Sequence, residues 1–415
     1  MPTPSTSPGS RPFDRVLLIV LDALGVGAMP DVHLVRPNDV GSDTLGHVVR
    51  AVGGLSLPNL ERLGLGTVAP NAGLRVDPAP ISVHSVNGLG YKGADTYLGH
   101  QVLMGSPVPD TPEELFSAVR DDVAAALRAA GHSVEPASEG LPALFVDSMM
   151  VVGDNLESDP LQTYHCVGSL DDQPYEAILA VGEILRSVAR VRRVVAMGGY
   201  GFRAADIRNC VELRPTGQSG VNNVALGLYT SNYVVRHLTR GNRPDVQVPT
   251  ILQKAGYTVE LIGKVADVIT CEGAHKEPHV LTRPVIEATY ASLGRVKCGL
   301  IAVNIQETDL AGHDQSARRY ADCLIMADEG IGRMMGMLGP RDLLIITGDH
   351  GNDPTIGHDK HTREFTPLLV WSPTIRPKGI FMRGTLADIA ATIAEIFAVD
   401  APEIGSSFLD EIETD

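Results

Sequence analysis

The chain has 415 residues, which is long enough for two domains or for one large α/β domain with an insertion. Its formal net charge of −16 disfavours a nucleic-acid-binding surface, because phosphate backbones are bound by concentrated Lys and Arg. No apolar run is long enough to cross a bilayer, and the five scattered cysteines argue against a disulfide framework and a zinc ribbon.

The N-terminal part of the chain changes from a polar tail to a buried strand. Residues 1–12 are rich in Pro and Ser and contain no hydrophobic signal segment, which predicts a disordered tail and a cytoplasmic protein. The segment RVLLIVLDALGVG follows and begins with a continuous apolar run, typical of a strand buried on both faces of a parallel sheet. The run ends at Asp22, which is therefore expected at the carboxyl end of the first strand.

The segment YKGADTYLGHQVLMG, residues 91–105, supplies a candidate nucleophile. Asp95 and Thr96 lie in a glycine-bounded loop where a helix is expected to start, and helix N-termini favour phosphate. The Thr96 hydroxyl is a poor nucleophile in water, but bridging two cations would lower its pKa. Further upstream, Asp43 and His47 in GSDTLGH are interpreted as part of a helix cap rather than as ligands.

Residues 107–225 lack the pattern of a buried strand followed by a carboxylate, and we expect them to form an inserted cap that binds substrate. The metal-binding core would then comprise residues 13–106 and 226–415. Within the insert, Thr111 to Glu114 form a capping-box pattern that predicts the start of a helix. Residues 176–191 show helical periodicity, and the basic cluster of Arg190, Arg192 and Arg193 is expected on the solvated face of that helix.

Two further strands repeat the design of the first strand. CGLIAVNIQETD, residues 298–309, ends in Asp309 and is followed by His313. DLLIITGDHG, residues 342–351, leads into Asp349 and His350. Three hydrophobic strands with polar residues at their carboxyl ends predict an α/β fold with a mainly parallel sheet flanked by helices, and a site at that edge.

The candidate ligands past these strands mix carboxylates with imidazoles. Such sets suit Mn²⁺, Zn²⁺ or Fe²⁺, whereas Mg²⁺ and Ca²⁺ prefer oxygen alone. There are too many for one ion and about enough for two, and a pair of metals can hold both the entering and the leaving oxygen in phosphoryl transfer. The candidates are Asp22, Asp309, His313, Asp349, His350, His358 and His361.

These segments together resemble the phosphopentomutase family of the alkaline phosphatase superfamily. The resemblance is carried in family order by LIVLDALGVGAMPD, GSDTLGHV, LPNLERLGLG, GADTYLGH, PTILQKAG with IGKVADV, NIQETDLAGH, and DLLIITGDHGNDPT followed by HTREFTPLLV. It implies an alkaline-phosphatase-like core with an inserted α+β cap. It also implies an intramolecular phosphoryl transfer that interconverts ribose 1-phosphate and ribose 5-phosphate through a phosphothreonine.

The resemblance also assigns roles to single residues. One metal would be held by Asp22, Asp349 and His350, and the other by Asp309, His313 and His361. Thr96 would touch both metals and carry the phosphoryl group. Mn²⁺ is favoured, with Mg²⁺ or Zn²⁺ as alternatives. The residues expected to contact the sugar phosphate are Asp154, Arg214 and Lys264.

Several alternatives remain open at this point. The scaffold also suits a two-metal phosphatase or phosphodiesterase, or a phosphomutase that acts on a different sugar phosphate. A catalytically silent protein that binds a sugar phosphate or a metal is a third reading. His358 has no counterpart in the family and is interpreted as a surface-loop histidine, although it could replace one of the predicted ligands. The oligomeric state is left open.

Overall fold

The chain folds into two compact units. The computed structural model describes residues 12–108, 111–158, 160–228, 233–241 and 243–414. The core unit comprises Met1–Val108 and Arg243–Asp415, and the inserted unit comprises Pro109–Asn242. Of the predicted disordered tail, residues 1–11 lie outside the described residues. No helix among the described residues is both long and apolar enough to span a membrane.

Strands and α-helices occur in both units and are numbered in chain order. The strands are β1 (Arg15–Leu21), β2 (Val83–Asn87), β3 (Val134–Pro136), β4 (Leu144–Val146), β5 (Met150–Asp154), β6 (Thr163–Ser169), β7 (Arg193–Gly199), β8 (Val211–Leu213), β9 (Ser219–Val221), β10 (Tyr233–Thr239), β11 (Thr258–Gly263), β12 (His275–Glu277), β13 (Gly299–Ile305), β14 (Asp342–Thr347), β15 (Thr366–Trp371) and β16 (Lys378–Gly379). The helices are α1 (Val32–Val35), α2 (Thr44–Ala51), α3 (Pro58–Arg62), α4 (Leu65–Val68), α5 (Thr96–Leu103), α6 (Arg120–Ala129), α7 (Tyr175–Val188), α8 (Ala204–Asn209), α9 (Asn223–Leu226), α10 (Val248–Lys254), α11 (Val265–Val268), α12 (Thr282–Arg295), α13 (Glu307–His313), α14 (Ala317–Met337) and α15 (Ala387–Ile396).

The core unit is built on an eight-stranded sheet of order β12-β11-β13-β1-β14-β15-β2-β16. Five neighbouring strands of this sheet are parallel, namely β12, β11, β13, β1 and β14. Strand β15 runs antiparallel to both of its neighbours, β14 and β2. The prediction of a mainly parallel sheet is therefore confirmed. Because β13, β1 and β14 are adjacent and parallel, the polar residues that follow them meet at one edge of the sheet.

Side chains of the central strand alternate between two hydrophobic cores. Val16, Leu18 and Val20 of β1 pack in one core with residues of α5, α10 and α15. Leu17, Ile19 and Leu21 pack in the other core with residues of α2, α12 and α14. All seven residues of β1 are buried, as its continuous apolar sequence predicts for a strand covered on both faces. Helices therefore flank the sheet on both sides.

The inserted unit has a six-stranded sheet of order β10-β7-β6-β5-β4-β3 and a two-stranded sheet of β8 and β9. Only β6 and β7 pair in parallel within the six-stranded sheet, so the unit is of the α+β type. The sequence-based boundary near residue 225 falls short of the observed one at Asn242. The reason is β10, which pairs with β7 and so belongs to the inserted unit.

Two local predictions in the inserted unit are wrong. The helix expected to start at Thr111 begins at Arg120, because the Glu114 and Phe116 N–H groups donate to Leu161 O at 2.9 Å and to Asp154 Oδ1 at 2.9 Å instead of to a helix. The predicted helix of residues 176–191 is present as α7 but ends at Val188. The cluster of Arg190, Arg192 and Arg193 thus lies past the helix, with Arg193 in β7.

Candidate active site

The first group of candidate ligands lies at the carboxyl ends of two adjacent strands. Asp22 follows β1, and Asp349 and His350 follow β14 after a single glycine. All three side chains are fully buried. Their potential ligand atoms lie within 4.8 Å of one another. The parallel pairing of β1 with β14 therefore brings together residues that are more than 300 positions apart in the sequence.

The second group forms beside the first. Potential ligand atoms of Asp309, His350 and His361 also lie within 4.8 Å of one another, so His350 belongs to both groups. His313 lies in the same place, with Nε2 3.5 Å from Asp309 Oδ1 and 3.1 Å from His361 Nε2. The structure thus brings together the six side chains that the sequence predicted as ligands, leaving aside Thr96.

Thr96 is the first residue of α5, and Asp95 caps the helix by accepting a hydrogen bond from Leu98 N at 3.0 Å. The Thr96 hydroxyl donates to Asp349 Oδ2 at 2.7 Å. A Cβ atom on Gly99 of the same helix would lie 2.7 Å from Asp349 O, closer than real contacts allow. The helix can therefore approach the end of β14 only because residue 99 has no side chain. The predicted nucleophile lies within hydrogen-bonding distance of a candidate ligand.

Lys264 lies among the carboxylates. Its Nζ atom is 2.9 Å from Asp22 Oδ2 and 3.1 Å from Asp309 Oδ2, so one ammonium group bridges a carboxylate of each ligand group. The residue follows β11, which is adjacent to β13 in the sheet. The sequence suggested a contact with the sugar phosphate for Lys264, and the structure shows two ion pairs with predicted metal ligands.

Burial and mutual repulsion perturb the pKa values of these groups. Burial, followed by repulsion from Asp349, raises the pKa of Asp22 to about 7. Burial alone would raise the pKa of Asp349, but the nearby His350 and His100 outweigh it and hold the pKa well below its usual value. Burial would lower the pKa of His350, but Asp349 dominates and raises it to about 9. For His361, burial and then His350 lower the pKa to about 4.

Lys264 and Asp309 stabilise each other's charged form. Burial would lower the pKa of Lys264, but the carboxylates of Asp22 and Asp309 outweigh it and raise the pKa above its ordinary value. Burial would raise the pKa of Asp309, but Lys264 and then His313 hold it well below the usual range. The ammonium group of Lys264 therefore already places one positive charge between the carboxylates of the site.

The three histidines are oriented as metal ligands are. His313, His350 and His361 each have Nδ1 within 2.7–2.9 Å of a backbone carbonyl, of Asp359, Gly351 and Ala94 respectively. A carbonyl only accepts, so Nδ1 carries the proton and Nε2 presents a lone pair in the neutral ring. Such a hydrogen bond fixes the tautomer and ring orientation of a histidine that binds metal.

The residues present fit divalent metal ions. The Nε2 atoms of His313 and His361 face each other at 3.1 Å, an arrangement that a shared cation would stabilise. Asp22 Oδ1 and His350 Nε2 are buried and have no hydrogen-bond partner of acceptable geometry. Buried carboxylates need compensating positive charge, and the single charge of Lys264 is shared by Asp22 and Asp309. Mixed carboxylate and imidazole ligands suit Mn²⁺ and Zn²⁺.

Comparison with known proteins places this geometry in a family. A model of the metalloenzyme superfamily matches residues 14–401. The phosphopentomutase of Caldanaerobacter subterraneus subsp. tengcongensis is 32% identical over 423 residues, covering 96% of this chain and 98% of the relative. The phosphopentomutase of Anaeromyxobacter sp. strain K is 32% identical over 419 residues, covering 96% of this chain and 99% of the relative. This chain belongs to the phosphopentomutase family.

Membership in the phosphopentomutase family settles the class of protein. The relative from Syntrophotalea carbinolica, also named phosphopentomutase, is 30% identical and covers 97% of this chain and 99% of its own length. The chain is thus an isomerase of the phosphomutase type with an alkaline-phosphatase-like α/β fold, and it belongs to a superfamily of metalloenzymes that bind divalent ions. Its predicted class and fold are confirmed.

The two remaining predicted substrate residues lie in the inserted unit, where the phosphopentomutase resemblance was weakest. Asp154 is buried, and its oxygens accept hydrogen bonds from the N–H groups of Phe116 and Ser219, both at 2.9 Å. Burial raises the pKa of Asp154 to about 6. Arg214 is half-exposed and lies 3.4 Å from Glu212. A contact of either residue with a sugar phosphate stays a prediction.

Some nearby polar residues have structural partners of their own. His358 does not join either ligand group, and its Nε2 lies 3.2 Å from Asp39 Oδ1. Asp43 caps α2 by accepting from Gly46 N, as predicted, and His47 forms an ion pair with Asp353. These contacts connect the loops around the site, and Asp43, His47 and His358 are not members of either ligand group.

Sequence reasoning missed several residues that support the site. Asn352 donates from Nδ2 to Asp309 Oδ1 at 3.0 Å, and Asn304 Nδ2 lies 3.0 Å from His100 Nε2. Glu364 is buried and accepts from the Thr44 backbone N–H and hydroxyl. Arg363 contacts the loop that leads to Thr96. Their proximity to His350 and His361 in the sequence was the only available signal for three of the four.

Proposed function

We propose that this protein interconverts ribose 1-phosphate and ribose 5-phosphate through a phosphothreonine at Thr96. The observation that carries the proposal is the position of the Thr96 hydroxyl, at the start of a helix and 2.7 Å from Oδ2 of Asp349, a member of the first ligand group. The pentose substrate is supported by relatives that match nearly the whole chain and are named phosphopentomutase.

Two divalent ions fit the residues of the site. Asp22, Asp349 and His350 would hold one ion, and Asp309, His313 and His361 the other, with Thr96 between them. When bound, the ions would supply positive charge that lowers the pKa of the Thr96 hydroxyl and offsets the charge of the phosphoryl oxygens. Mn²⁺ is the ion that the family resemblance favours, and Zn²⁺ also suits a set of carboxylates and imidazoles.

The residues of the chain position the groups that react. In the first half of the reaction the bond from Thr96 Oγ1 to phosphorus breaks while a hydroxyl oxygen of the sugar phosphate bonds to phosphorus. The proton of that sugar hydroxyl passes to the leaving Oγ1, which becomes a hydroxyl again. The bisphosphate then returns its other phosphoryl group to Oγ1. In the unphosphorylated protein Asp349 orients Oγ1 through its hydrogen bond, and the N-terminal amides of α5 would stabilise a phosphoryl group on Oγ1. Lys264 provides a fixed positive charge between the carboxylates.

Labelling of Thr96 tests this proposal. Protein incubated with ribose 1,5-bisphosphate is expected to carry phosphate on Thr96 by peptide mass spectrometry, and Thr96→Ala is expected to lose at least about 10³-fold in conversion of ribose 1-phosphate, because the transfer needs the nucleophile. The matched control is Thr250→Ala, since Thr250 lies in the same unit and its hydroxyl contacts Thr270 O at 3.5 Å and the side chain of Cys271.

Four results would contradict the proposal or one of its parts. Label on a residue other than Thr96, or unchanged turnover in Thr96→Ala, would reject the phosphothreonine. Release of most of the phosphate to water by the wild-type protein would favour the hydrolase that the scaffold also suits. Binding of fewer than two ions at saturation, measured by metal analysis, would reject the paired site.

A further inference from the structure

The loop that leads to the proposed nucleophile is held by the side chain of Arg363. Nη1 of this arginine donates to Tyr91 O at 2.7 Å and to Gly93 O at 2.8 Å. Gly93 has φ of +103°, a left-handed conformation that favours glycine. The carbonyls of Tyr91 and Gly93 lie three to five residues before Thr96, so their position sets the path of the backbone into α5.

The guanidinium group of Arg363 is itself fixed. Nε and Nη2 donate to the two carboxylate oxygens of Asp31, both at 2.8 Å, and the residue is 4% exposed. Two parallel hydrogen bonds to one carboxylate determine the plane of the guanidinium and therefore the direction of Nη1. A lysine offers a single ammonium group and cannot make the fork and reach two carbonyls at once.

The same short segment of chain holds a candidate metal ligand. His361, two residues before Arg363, has Nδ1 2.8 Å from Ala94 O. Residues 361 and 363 therefore engage three carbonyls in succession along the loop 91–94. The segment is anchored in turn by Asp39, which accepts from the Arg363 N–H at 2.9 Å, and by Arg36, which donates to His361 O at 2.7 Å.

We propose that Arg363 is a positioning residue for phosphoryl transfer, which rests on the proposed role of Thr96. By holding the loop 91–94, it fixes Oγ1 relative to the ligand groups. A displacement of about 1 Å of a reacting group can cost about 10²-fold in rate. Arg363 contacts none of the proposed reacting atoms, so its effect is expected on the rate of transfer and not on substrate binding.

The chain contains a matched control for this arginine. Arg15 makes the same set of hydrogen bonds, a fork from Nε and Nη2 to Asp342 and two bonds from Nη1 to the carbonyls of Leu293 and Val296. It is also buried, at 6% exposure. Arg15 begins β1, whereas the candidate ligands follow the other end of that strand. If substitutions at Arg363 and Arg15 acted only by lowering folding stability, they should therefore change kcat by similar factors.

The experiment compares Arg363→Lys with Arg15→Lys in the full-length, manganese-loaded protein. Both variants are expected to show a lower Tm. Arg363→Lys should lose about 10²-fold in kcat for ribose 1-phosphate with KM within about twofold of wild type, and should slow the labelling of Thr96 to a similar extent. Arg15→Lys should retain kcat within about twofold. Equal kcat in the two variants would overturn the inference.

Chemical rescue separates positioning from general damage. Addition of ethylguanidinium to Arg363→Ala is expected to restore part of the lost kcat without raising Tm, and to do nothing for the kcat of Arg15→Ala. Absence of any rescue, together with a fall in kcat that follows Tm in both alanine variants, would show a purely structural role. If the wild-type protein carries no label on Thr96, the proposed function itself fails. If it does, and Arg363→Lys labels as fast as Arg15→Lys, only the inference about Arg363 fails.

Discussion

The two ends of the central strands solve the problem of buried charge in different ways. At the amino end of β1, Arg15 forms a complete ion pair with Asp342 of β14 and has further carbonyl acceptors. At the carboxyl end, buried Asp22 and Asp309 share the ammonium group of Lys264, and buried Asp349 lies beside His100 and His350. The first arrangement is a finished structural contact. The second crowds three carboxylates together and leaves Asp22 Oδ1 without a hydrogen-bond partner, as expected of a site built to receive cations.

The largest difference between the two ends should be in folding stability without metal. Asp342→Asn removes the charge partner of a buried guanidinium and is expected to lower the free energy of unfolding by about 3 kcal/mol. Asp22→Asn removes a carboxylate whose pKa is raised, chiefly by burial, to about 7, and should stabilise the metal-free protein at pH 8 by about 1 kcal/mol. Urea unfolding in the presence of EDTA measures both.

Manganese is the control for this pair of variants. It should stabilise the Asp342→Asn protein as it does the wild type, and should stabilise the Asp22→Asn protein much less, because one ligand group has lost a carboxylate. A destabilised Asp22→Asn protein in EDTA would mean that Asp22 is a structural residue, and the contrast between the two ends would disappear.

A smaller effect is expected on the pH dependence of stability. The pKa of His350 is raised to about 9, so its contribution to the metal-free protein is present below pH 6.5 and is lost as pH rises through about 9. The pKa of Asp22 is raised to about 7, which acts in the same direction up to that pH. His361, with a pKa lowered to about 4, opposes them only below pH 6.5. Between pH 6.5 and 9 the metal-free protein should therefore lose about 2 kcal/mol.

Metal should reverse the sign of this dependence. Bound ligands must be deprotonated, so the stabilisation that manganese provides should grow over the same range of pH. Thermal unfolding from pH 6.5 to 9, with EDTA and with Mn²⁺, checks both slopes. His350→Gln should flatten the slope in EDTA. A slope that is unchanged in this variant would assign the effect to other groups.

The smallest effect is expected at His358, which lies outside the ligand groups. Replacement by Gln should lower the free energy of unfolding by less than about 1 kcal/mol, because the contact with Asp39 is a single ion pair of a partly exposed histidine. Manganese binding and kcat should stay within about twofold of wild type. A large loss of metal affinity, measured by calorimetric titration, would instead make His358 a ligand.

The sequence predicted the position of the site because the local pattern and the tertiary structure agree there. Each of β1, β13 and β14 contains a run of at least four consecutive apolar residues, which is typical of buried parallel strands. Once such strands are parallel neighbours, Asp22 and Asp349 have to lie close together.

Other features depend on contacts that leave no local pattern. The predicted start of α6 at Thr111 was wrong because backbone N–H groups in that segment donate to distant acceptors on Leu161 and Asp154 and not to a helix. The extent of the inserted unit depends on the pairing of β10 with β7. The sequence of a strand with mixed polarity does not indicate which strand it pairs with. Arg363 was missed because its role depends on carbonyl groups 270 or more positions away, and every residue has a carbonyl.

Gly99 shows what the close approach of α5 costs the protein. Glycine within a helix is less favourable than alanine by about 1 kcal/mol, and a redesign guided by helix propensity alone would replace it first. Yet the added methyl group would meet the backbone of Asp349 and push the helix outward. A substitution that favours the helix is therefore expected to slow the enzyme, if Thr96 is the nucleophile, because it would move the Thr96 hydroxyl away from Asp349.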